Sequence, residues 1–279
     1  MRVAEELAEL RRFSDRHGRL FILTGAGCST GSGIPDYRDG DGQWKRAQPM
    51  TIQAFMGSAF ARQRYWARSL LGWRRFSRAA PNAAHRALAG LEARGRCETL
   101  LTQNVDGLHQ AAGSERVIDL HGRLDRVRCM GCERRSSRAE FQGRLGALNP
   151  GWLDRDVAAA PDGDADLEDA DFAAFAVPSC PHCGGVLKPD VVFFGEGVPR
   201  ERVEAGFAAV EKADAMLVVG SSLMVYSGYR FAEMAAALGK PIAAINNGRT
   251  RADGLLALKV EEDCAVALEA MTGAASLRA

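Results

Sequence analysis

The sequence predicts an α/β fold, a Rossmann-like doubly wound parallel sheet that is interrupted by a small inserted module. Two observations lead to this prediction. Short apolar runs alternate with helical patterns along most of the chain, and two pairs of closely spaced cysteines lie within one interruption of that alternation. Alternating strands and helices are typical of parallel sheets with helices on both faces. A chain of 279 residues is long enough for one large and one small domain.

Five short apolar runs predict the strands of the sheet. They are residues 20–24, 98–102, 117–120, 215–219 and 241–245. Helical patterns such as residues 81–94 and 200–212 separate many of them. Ligands of doubly wound sheets bind beyond the carboxyl ends of the strands. The polar segments at those ends contain Gln103, Asn104, Val105 and Asp106, then His121 and Gly122, then Gly220, Ser221 and Ser222, and finally Asn246, Asn247 and Gly248.

A glycine-rich segment follows the first predicted strand. In order, it contains Gly25, Ala26, Gly27, Ser29, Ile34, Pro35, Asp36, Tyr37 and Arg38. Closely spaced glycines after a strand let backbone approach a phosphate, so we expect a nucleotide ligand. The dinucleotide fingerprint is only partly met, because Thr30 occupies the place of its third glycine and Pro35 excludes a regular helix. The loop therefore differs from that of an ordinary dehydrogenase. The alternative is a tight turn without a ligand.

Two C-x-x-C motifs predict a metal site. They are formed by Cys129 with Cys132 and by Cys180 with Cys183. Four thiolates suit one tetrahedral zinc ion with a structural role, as in a zinc ribbon. A redox pair is the alternative, but two copies of the motif favour zinc. His182 could compete as a ligand, although four sulfurs already complete the set.

An acidic segment explains the long spacing between the two cysteine motifs. Within a predicted loop at 149–178, the acidic residues are Asp154, Asp156, Asp162, Asp164, Asp166, Glu168, Asp169 and Asp171. This composition favours a mobile, solvated insertion over packed structure. A flap that attracts basic substrates is the alternative interpretation.

The composition argues against several classes of protein. The chain has 36 basic and 35 acidic residues, so its net charge does not indicate binding to nucleic acid or to a membrane surface. No apolar run is long enough to span a bilayer. The first 19 residues have the pattern of an amphipathic helix rather than a secretory signal. Seven cysteines, an odd number, favour a reducing compartment, and we expect a cytoplasmic protein.

The ordered series of motifs resembles the sirtuins, the NAD-dependent protein deacylases. The matching strings are GAGCSTGSGIPDYR (25–38), TQNVDGLH (102–109), LHG (120–122), the two C-x-x-C motifs, VVFFGE (191–196), GSS (220–222) and NNG (246–248). Two further strings, RQRYWAR (62–68) and GSSLMVYSGYRF (220–231), are most similar to the class II branch. The resemblance implies a Rossmann-like NAD-binding domain at 1–122 and 196–279, including a helical insertion at about 45–80, and a zinc-binding small domain at 123–195.

The resemblance also implies the reaction, a protein-lysine deacetylation (more broadly a deacylation) that consumes NAD. The acyl oxygen attacks the ribose carbon that bears nicotinamide, and an alkylamidate forms. The products are nicotinamide, free lysine and O-acyl-ADP-ribose. His121 would be the general base that acts on the ribose hydroxyls, a role that suits an imidazole. Asn104, with Gln103, would contact the nicotinamide ribose and a nearby water.

The remaining roles likewise follow from the resemblance. Asp106 and Ile34 match the nicotinamide pocket, Cys264 matches a backbone contact to adenine, and Tyr37 replaces a more usual phenylalanine that shields the ribose. The full set of expected NAD-binding residues is Gly25, Ala26, Gly27, Ser29, Ile34, Pro35, Asp36, Tyr37, Arg38, Trp44, Gln103, Asn104, Val105, Asp106, His121, Gly220, Ser221, Ser222, Asn246, Asn247, Gly248 and Cys264.

The substrate is expected to be an acyl-lysine protein or peptide. Its expected contacts are Tyr65, Arg68, Val191, Phe193, Phe194, Gly195 and Glu196. Tyr65 and Arg68 lie three apart on a predicted helix, and such a pair holds acidic acyl groups in some sirtuins. An exposed basic helix face explains Arg68 equally well, and the apolar residues could line a channel for longer acyl chains.

Two other functions stay open. A protein ADP-ribosyltransferase would use the same cofactor, and no motif separates the two activities. A nucleic-acid-binding zinc module is suggested by arginines near the first cysteine motif, but the balanced charge and the lack of interleaved aromatic residues disfavour it. We expect a monomer without membrane or specific nucleic-acid partners.

Overall fold

A six-stranded parallel sheet forms the centre of the computed structural model, which describes residues 2–45, 49–155, 158–159, 165–167 and 170–273. In chain order the helices and strands are α1 (Arg2–Arg16), β1 (Leu20–Thr24), α2 (Ile52–Gly57), α3 (Ala59–Phe76), α4 (Ala83–Ala93), β2 (Cys97–Thr102), α5 (Leu108–Ala111), β3 (Val117–Asp119), β4 (Gly122–Cys129), β5 (Arg135–Ser137), α6 (Arg138–Leu148), β6 (Ala158–Ala159), β7 (Ala165–Asp166), β8 (Leu187–Val191), α7 (Arg200–Lys212), β9 (Ala215–Val219), α8 (Tyr226–Ala237), β10 (Ile242–Ile245), β11 (Leu258–Val260) and α9 (Cys264–Thr272).

The order of strands confirms the doubly wound fold. Across the sheet the strands run β3, β2, β1, β9, β10 and β11, and all neighbours are parallel. The direction of winding reverses between β1 and β9, and ligands of such sheets bind where the order reverses. All five predicted strands are present. The short strand β11 was not predicted.

Alternate residues of β1 enter the two halves of the large core. Leu20 and Ile22 pack in the cluster that contains residues of α1, α4 and α9. Phe21 and Leu23 pack in the opposite cluster, with residues of α7 and α8. Because both faces are covered, every residue of this strand is buried, and a continuous apolar run is its sequence signature.

The inserted module is built on a small antiparallel sheet in which β4 lies between β5 and β8. Gly122 opens β4 directly after His121, and it pairs with Val191 at the end of β8. A Cβ on Gly122 would lie 2.1 Å from the Asp190 carbonyl oxygen, so only glycine fits here. The chain therefore leaves and re-enters the module at one point, beside the edge of the large sheet.

Helices α2 and α3 share their core with the inserted module. Trp66 of α3 is fully buried, and its ring centroid lies 4.5 Å from that of Phe141 of α6. Its Nε1 donates to the Leu187 carbonyl of β8 at 3.2 Å. Phe55 and Leu70 belong to the same cluster. The sequence analysis assigned this insertion at about 45–80 to the large domain. In the structure the apolar side of α3 faces the small sheet, a contact that an amphipathic pattern alone does not reveal.

The described ends of the acidic loop are packed, which differs from the expected solvated insertion. Phe172 and Phe175 contact Trp152 with ring centroids 5.8 and 5.1 Å apart, and Ala165 is fully buried. These apolar residues flank the acidic ones and add to the core of the module. Five of the acidic residues lie outside the described residues, namely Asp156, Asp162, Asp164, Glu168 and Asp169.

Within the described ranges, no helix combines the length and the apolar composition that crossing a bilayer requires.

Candidate functional site

The glycine-rich loop after β1 packs directly on the loop after β9. Gly25 donates to the Val219 carbonyl at 3.1 Å, and Gly27 donates to the Gly220 carbonyl at 2.9 Å. A Cβ on Gly25 would lie 2.7 Å from the Cβ of Ser221. The sequence analysis attributed these glycines to a close approach of phosphate. The structure gives them a different requirement, which is contact between two backbone segments at the reversal of strand order.

A hydrogen-bond network connects this loop to the end of β2. Asn104 donates from Nδ2 to the Gly25 carbonyl and to Ser29 Oγ, both at 3.0 Å. Ser29 Oγ in turn donates to Asp106 Oδ2 at 2.7 Å. The second oxygen of Asp106 accepts from the Leu108 backbone at 2.8 Å, so this carboxylate also supports the turn before α5. Three side chains predicted to bind NAD are thereby joined.

His121 lies just after β3, at the same edge of the sheet. Its Nδ1 is 3.0 Å from the Gln103 carbonyl and its Nε2 is 2.8 Å from Ser227 Oγ. Because a carbonyl can only accept, Nδ1 carries the hydrogen and Nε2 keeps a lone pair that accepts from Ser227. Burial lowers the pKa of His121 to about 4, so the ring is neutral at neutral pH. Ser221 connects the two loops by donating to Gln103 Oε1 at 2.6 Å.

An aromatic wall closes the opposite side of the glycine-rich loop. Trp44 lies edge-on to Tyr37, with ring centroids 6.1 Å apart, and to Phe194 at 5.5 Å. The Arg38 guanidinium lies 3.8 Å above the Trp44 ring and donates to the Gly42 carbonyl at 2.7 Å. The structure thus brings together Tyr37, Arg38 and Trp44. Asp36, also predicted to bind NAD, is paired with Lys45 on the surface at 2.5 Å.

The far end of the edge is formed by the loop after β10. Asn246 donates from Nδ2 to the Gly248 carbonyl at 3.2 Å, which folds the loop on itself. Gly248 has a φ of +91°, and a Cβ there would lie 2.3 Å from the Gly40 carbonyl oxygen. The loop therefore packs on the segment between Arg38 and Trp44, which carries the aromatic wall. Cys264, at the start of α9, is buried close to Cys28 of the glycine-rich loop.

The segment after β8 lies beside His121. The Val192 amide donates to the His121 carbonyl at 2.8 Å, and the Ile52 amide donates to the Phe194 carbonyl at 2.9 Å. Glu196 Oε2 accepts from the Phe193 amide at 2.9 Å and from Lys188 Nζ at 3.0 Å. The predicted substrate segment 191–196 therefore runs along the same cleft.

The two residues of the predicted acyl-selective pair lie on α3 with the following contacts. Tyr65 packs among aromatic rings, 5.4 Å from Phe55 and 5.3 Å from Phe193 between centroids. Arg68 Nε donates to the Ala165 carbonyl of β7 at 2.9 Å. The tyrosine thus lies against the substrate segment, whereas the arginine holds the backbone of the acidic loop.

Two polar side chains of the site, the half-buried Ser227 and the buried Lys188, were not predicted. Ser227 lies in the quoted string GSSLMVYSGYRF, but its contact to His121 crosses between distant strands and has no local sequence signal. Lys188, only 3% exposed, donates to Glu196 and to the Val191 carbonyl and so fixes the substrate segment from below. The one signal available in the sequence was a lysine close to the motif VVFFGE. Its burial beside Glu196 follows the general pattern that a buried lysine has a partner.

The four cysteines converge in a geometry that fits zinc. The Cys129 and Cys183 sulfurs are 3.4 Å apart, and those of Cys132 and Cys180 are 3.8 Å apart. A tetrahedron with Zn–S bonds of about 2.3 Å has sulfurs about 3.8 Å apart. Backbone amides that donate to Cys129 lower the pKa of its thiol to about 6, which favours the thiolate. His182 instead lies 3.3 Å from the Arg134 guanidinium, outside the cluster.

The arginines near the first cysteine motif are largely compensated by acidic partners. Arg123 pairs with Asp125 at 2.5 Å, and Arg135 pairs with Asp190 at 2.8 Å. Arg138 is buried among aromatic rings and does not face solvent. Such a surface offers little unbalanced positive charge to a nucleic-acid backbone.

Comparison with known proteins agrees with this geometry. The model of the Sir2 family matches residues 25–227. The chain belongs to the Sir2 family. Relatives named NAD-dependent protein deacetylase, from Xanthomonas campestris pv. campestris (strain 8004) and Bordetella bronchiseptica, are 70% and 65% identical to this Sir2 protein over 259 residues. The matches cover 93% of this chain and 88% and 94% of the relatives.

Solved Sir2 structures share the fold over nearly the whole chain. One described as "Sir2-p53 peptide-NAD+" is 29% identical with a TM-score of 0.74, and the match covers 94% of this chain and 95% of the other. One described as "Structure of Sir2Tm bound to a propionylated peptide" is 29% identical with a TM-score of 0.73, covering 95% and 96%. This Sir2 protein therefore has the family fold from end to end, while the roles of its individual site residues stay predictions.

A substitution at Gly220 should test the contact between the two loops. Gly220 has a φ of +60°, and a Cβ there would lie 2.3 Å from the Cys28 amide nitrogen. Gly239 has a similar φ of +69° with nothing within 4 Å, so it is a matched control. We expect Gly239→Ala to lower the free energy of unfolding by about 1–2 kcal/mol from backbone strain alone. Gly220→Ala should cost at least about 2 kcal/mol more, because neither backbone segment can yield. Equal losses in urea unfolding would contradict the role of the contact.

Burial of neutral histidines should make this Sir2 protein lose stability in acid. The pKa of His121 is lowered to about 4 and that of His109 to about 3, both by burial. A lowered pKa stabilises the fold fully above the unfolded value of about 6.5, and this stabilisation is lost as pH falls towards the folded pKa. As the pH falls from about 6.5 to 4, the free energy of unfolding should decrease in both proteins. We expect this decrease to be smaller in His121→Gln than in the wild type, by up to about 3 kcal/mol. Urea unfolding across this pH range measures the difference, and parallel curves would contradict it.

Proposed function

We propose that the protein is an NAD-dependent protein-lysine deacetylase that transfers the acyl group to ADP-ribose and releases nicotinamide. The observation that carries this proposal is the arrangement around His121. Its imidazole has a lone pair on Nε2, lies at the carboxyl-end edge of the sheet next to Gln103, and is bonded through its own carbonyl to the predicted substrate segment. The named relatives, at 65–70% identity, support the same activity.

The residues at the edge of the sheet suit NAD. The amide of Asn104 and the carboxylate of Asp106 offer a donor and an acceptor next to Ser29, as a nicotinamide ribose and a carboxamide require. Arg38 and the backbone amides of the two short 3₁₀ turns that follow β1 supply positive potential for phosphates. When bound, NAD supplies the ribose carbon that accepts the acyl oxygen.

His121 is proposed as the general base. With Nδ1–H held by the Gln103 carbonyl, proton transfer can occur only at Nε2, which faces Ser227 in the absence of substrate. A ribose hydroxyl would take the place of Ser227 as hydrogen-bond partner and give its proton to Nε2. Asn104 is proposed to hold the ribose in position rather than to move a proton, because an amide does not titrate.

Acyl-lysine peptides are the proposed substrates. The solved relatives include complexes with a p53 peptide and with a propionylated peptide. In this chain, the backbone from the end of β8 to the turn at Gly195 lies beside His121, and a peptide strand can add to it. Tyr65, Phe193 and Phe55 lie against this segment and supply an apolar lining for a neutral acyl group.

We propose further that one zinc ion holds the inserted module together and takes no part in the reaction, because four sulfurs leave no open position. Because α2 and α3 share the core of this module, we assign both helices to it. The NAD-binding domain would then comprise the remainder of 1–121 together with 196–279. A monomer in the cytoplasm remains the working assignment, since free thiolates for zinc need a reducing compartment.

Nicotinamide release tests the proposed activity. With NAD and an acetyl-lysine peptide, the wild type should release nicotinamide and form O-acetyl-ADP-ribose. We expect His121→Ala to lower deacetylation by at least about 100-fold, the usual size of a general-base contribution. His17→Ala, a substitution just before β1 and so at the opposite end of that strand from the glycine-rich loop, should keep wild-type rates.

Labelled NAD separates the deacetylase from its main rival. Label in O-acetyl-ADP-ribose supports the proposal, whereas label attached covalently to protein would make the enzyme an ADP-ribosyltransferase. No release of nicotinamide with acetyl, succinyl, glutaryl, lipoyl or long-chain acyl peptides, from protein that holds its zinc, would contradict the deacylase activity altogether.

The contacts of Arg68 predict that the enzyme does not select acidic acyl groups through this residue. Its Nε donates to the Ala165 carbonyl of the acidic loop at 2.9 Å and so helps to hold that backbone. We expect Arg68→Met to leave the ratio of succinyl to acetyl turnover unchanged within about two-fold, since no acidic acyl group loses a charge-assisted bond. Arg64→Met, an exposed neighbour on α3, is the control. A selective loss of succinyl turnover in Arg68→Met alone would show that the arginine does bind the acyl carboxylate.

A further inference from the structure

Three metal-binding side chains meet behind the glycine-rich loop, away from the four-cysteine cluster. They are Cys28, His85 and His109, which are 1%, 0% and 1% exposed. One potential ligand atom from each lies within 4.8 Å of the other two, and the imidazole centroids are 4.8 Å apart. The sequence analysis assigned no function to these residues. They come from three separate elements, so their approach is a product of the fold.

The separations are close to those of a bound ion. Three atoms no more than 4.8 Å apart lie within about 2.8 Å of one common point, whereas bonds from zinc to nitrogen and sulfur are about 2.0–2.3 Å long. The atoms would need to move inward by up to about 0.8 Å.

In each histidine, the ring nitrogen that faces away from the cluster has a hydrogen-bond partner. His109 Nε2 lies 2.9 Å from Thr24 Oγ1, and that hydroxyl donates its own hydrogen to Thr102, so it must accept from the histidine. His109 Nδ1 is therefore a bare lone pair, and it has no hydrogen-bond partner among the described residues. A buried acceptor left without a partner needs an explanation. A ligand to the ring nitrogen supplies one.

His85 is anchored in the corresponding way. Its Nδ1 lies 3.0 Å from Asn82 Oδ1 and accepts from the Asn82 backbone amide at 3.3 Å, in the capping box of α4. The Asn82 side-chain amide donates to the Cys28 carbonyl at 2.9 Å, and His85 Nε2 has a long contact of 3.4 Å to Ser29 Oγ. Histidines that bind metals commonly donate their second nitrogen to an oxygen, which fixes the ring and its tautomer. Thr24 provides this outer support for His109. A metal on His85 Nε2 would place the hydrogen on Nδ1, which would donate to Asn82 Oδ1 in place of the contact from the Asn82 backbone amide.

The donor set and the charge suit a divalent transition metal. One sulfur and two imidazole nitrogens are the ligands that zinc and its neighbours prefer. Burial keeps the Cys28 thiol protonated without a metal, and binding would exchange that proton for the ion. The thiolate so formed and the nearby Asp106 carboxylate would together balance a charge of two.

We propose that Cys28, His85 Nε2 and His109 Nδ1 form a second metal site, which takes one zinc-class divalent ion and leaves a fourth position for water. The site is separate from the structural zinc, and it does not depend on the proposed deacetylase activity. The reaction at the site is an exchange, in which the Cys28 S–H bond gives way to a metal–sulfur bond and one proton is released to solvent.

Metal stoichiometry tests the proposal on the intact protein. Protein that holds zinc in its four cysteines is equilibrated with cobalt(II) at neutral pH, and total zinc plus cobalt is counted by mass spectrometry. We expect two metal ions per chain in the wild type, with the intense visible bands of a tetrahedral cobalt site that contains a thiolate. Cys28→Ala and His109→Gln should hold one ion per chain and lose the added bands.

The control is Cys97→Ala, which removes another buried free thiol from the same core and should keep two ions. The retained zinc of each variant shows that the inserted module is intact, and a single cooperative urea transition at the wild-type midpoint shows the same for the large domain, so a loss of cobalt cannot then be attributed to unfolding. A wild type that binds only one ion would overturn the proposal. So would a second ion that persists unchanged in Cys28→Ala.

Discussion

The contact between two backbone segments at the centre of the large sheet is the constraint on which the site depends. The ends of β1 and β9 meet without side chains between them, because Gly27 donates to the Gly220 carbonyl and a Cβ on Gly220 would overlap the Cys28 amide. Side chains that follow on either segment must then point along the edge of the sheet. Ser29 reaches Asp106, and Ser221 reaches Gln103. The polar network exists because the glycines remove any alternative direction.

The inserted module is fixed to this edge at the residue that matters most for the proposed chemistry. Gly122 begins β4 directly after His121, and the His121 carbonyl accepts from Val192 at the return of the chain. The proposed general base and the predicted substrate segment are therefore held next to each other by backbone hydrogen bonds of adjacent residues. Zinc and the aromatic core around Trp66 and Phe141 stabilise the module as a body. A motion of that body would carry both groups together, and their relative positions would be preserved.

Local signals in the sequence were sufficient for the large sheet and insufficient for the contacts across it. The runs at 20–24 and 215–219 coincide with β1 and β9 because continuous apolar residues end at glycine. Strand β11 is too short to show a pattern, and β4 carries arginines that hide its alternation. The side of α3 that meets the module, and the approach of Ser227 to His121, depend on residues far apart in the chain. A motif identifies which residues bear the chemistry, but not which neighbours hold them.

Burial determines the protonation of the site, and this favours a base that is ready to act. A solvent-exposed imidazole is partly protonated near neutral pH, and a protonated ring cannot accept. Burial lowers the pKa of His121 to about 4 and so keeps Nε2 free, although the ring becomes a weaker base. Position compensates for this weakness, because the Gln103 carbonyl and Ser227 hold the ring before substrate arrives. A bound ribose hydroxyl that replaces Ser227 would meet the lone pair in place, with little further ordering of the ring.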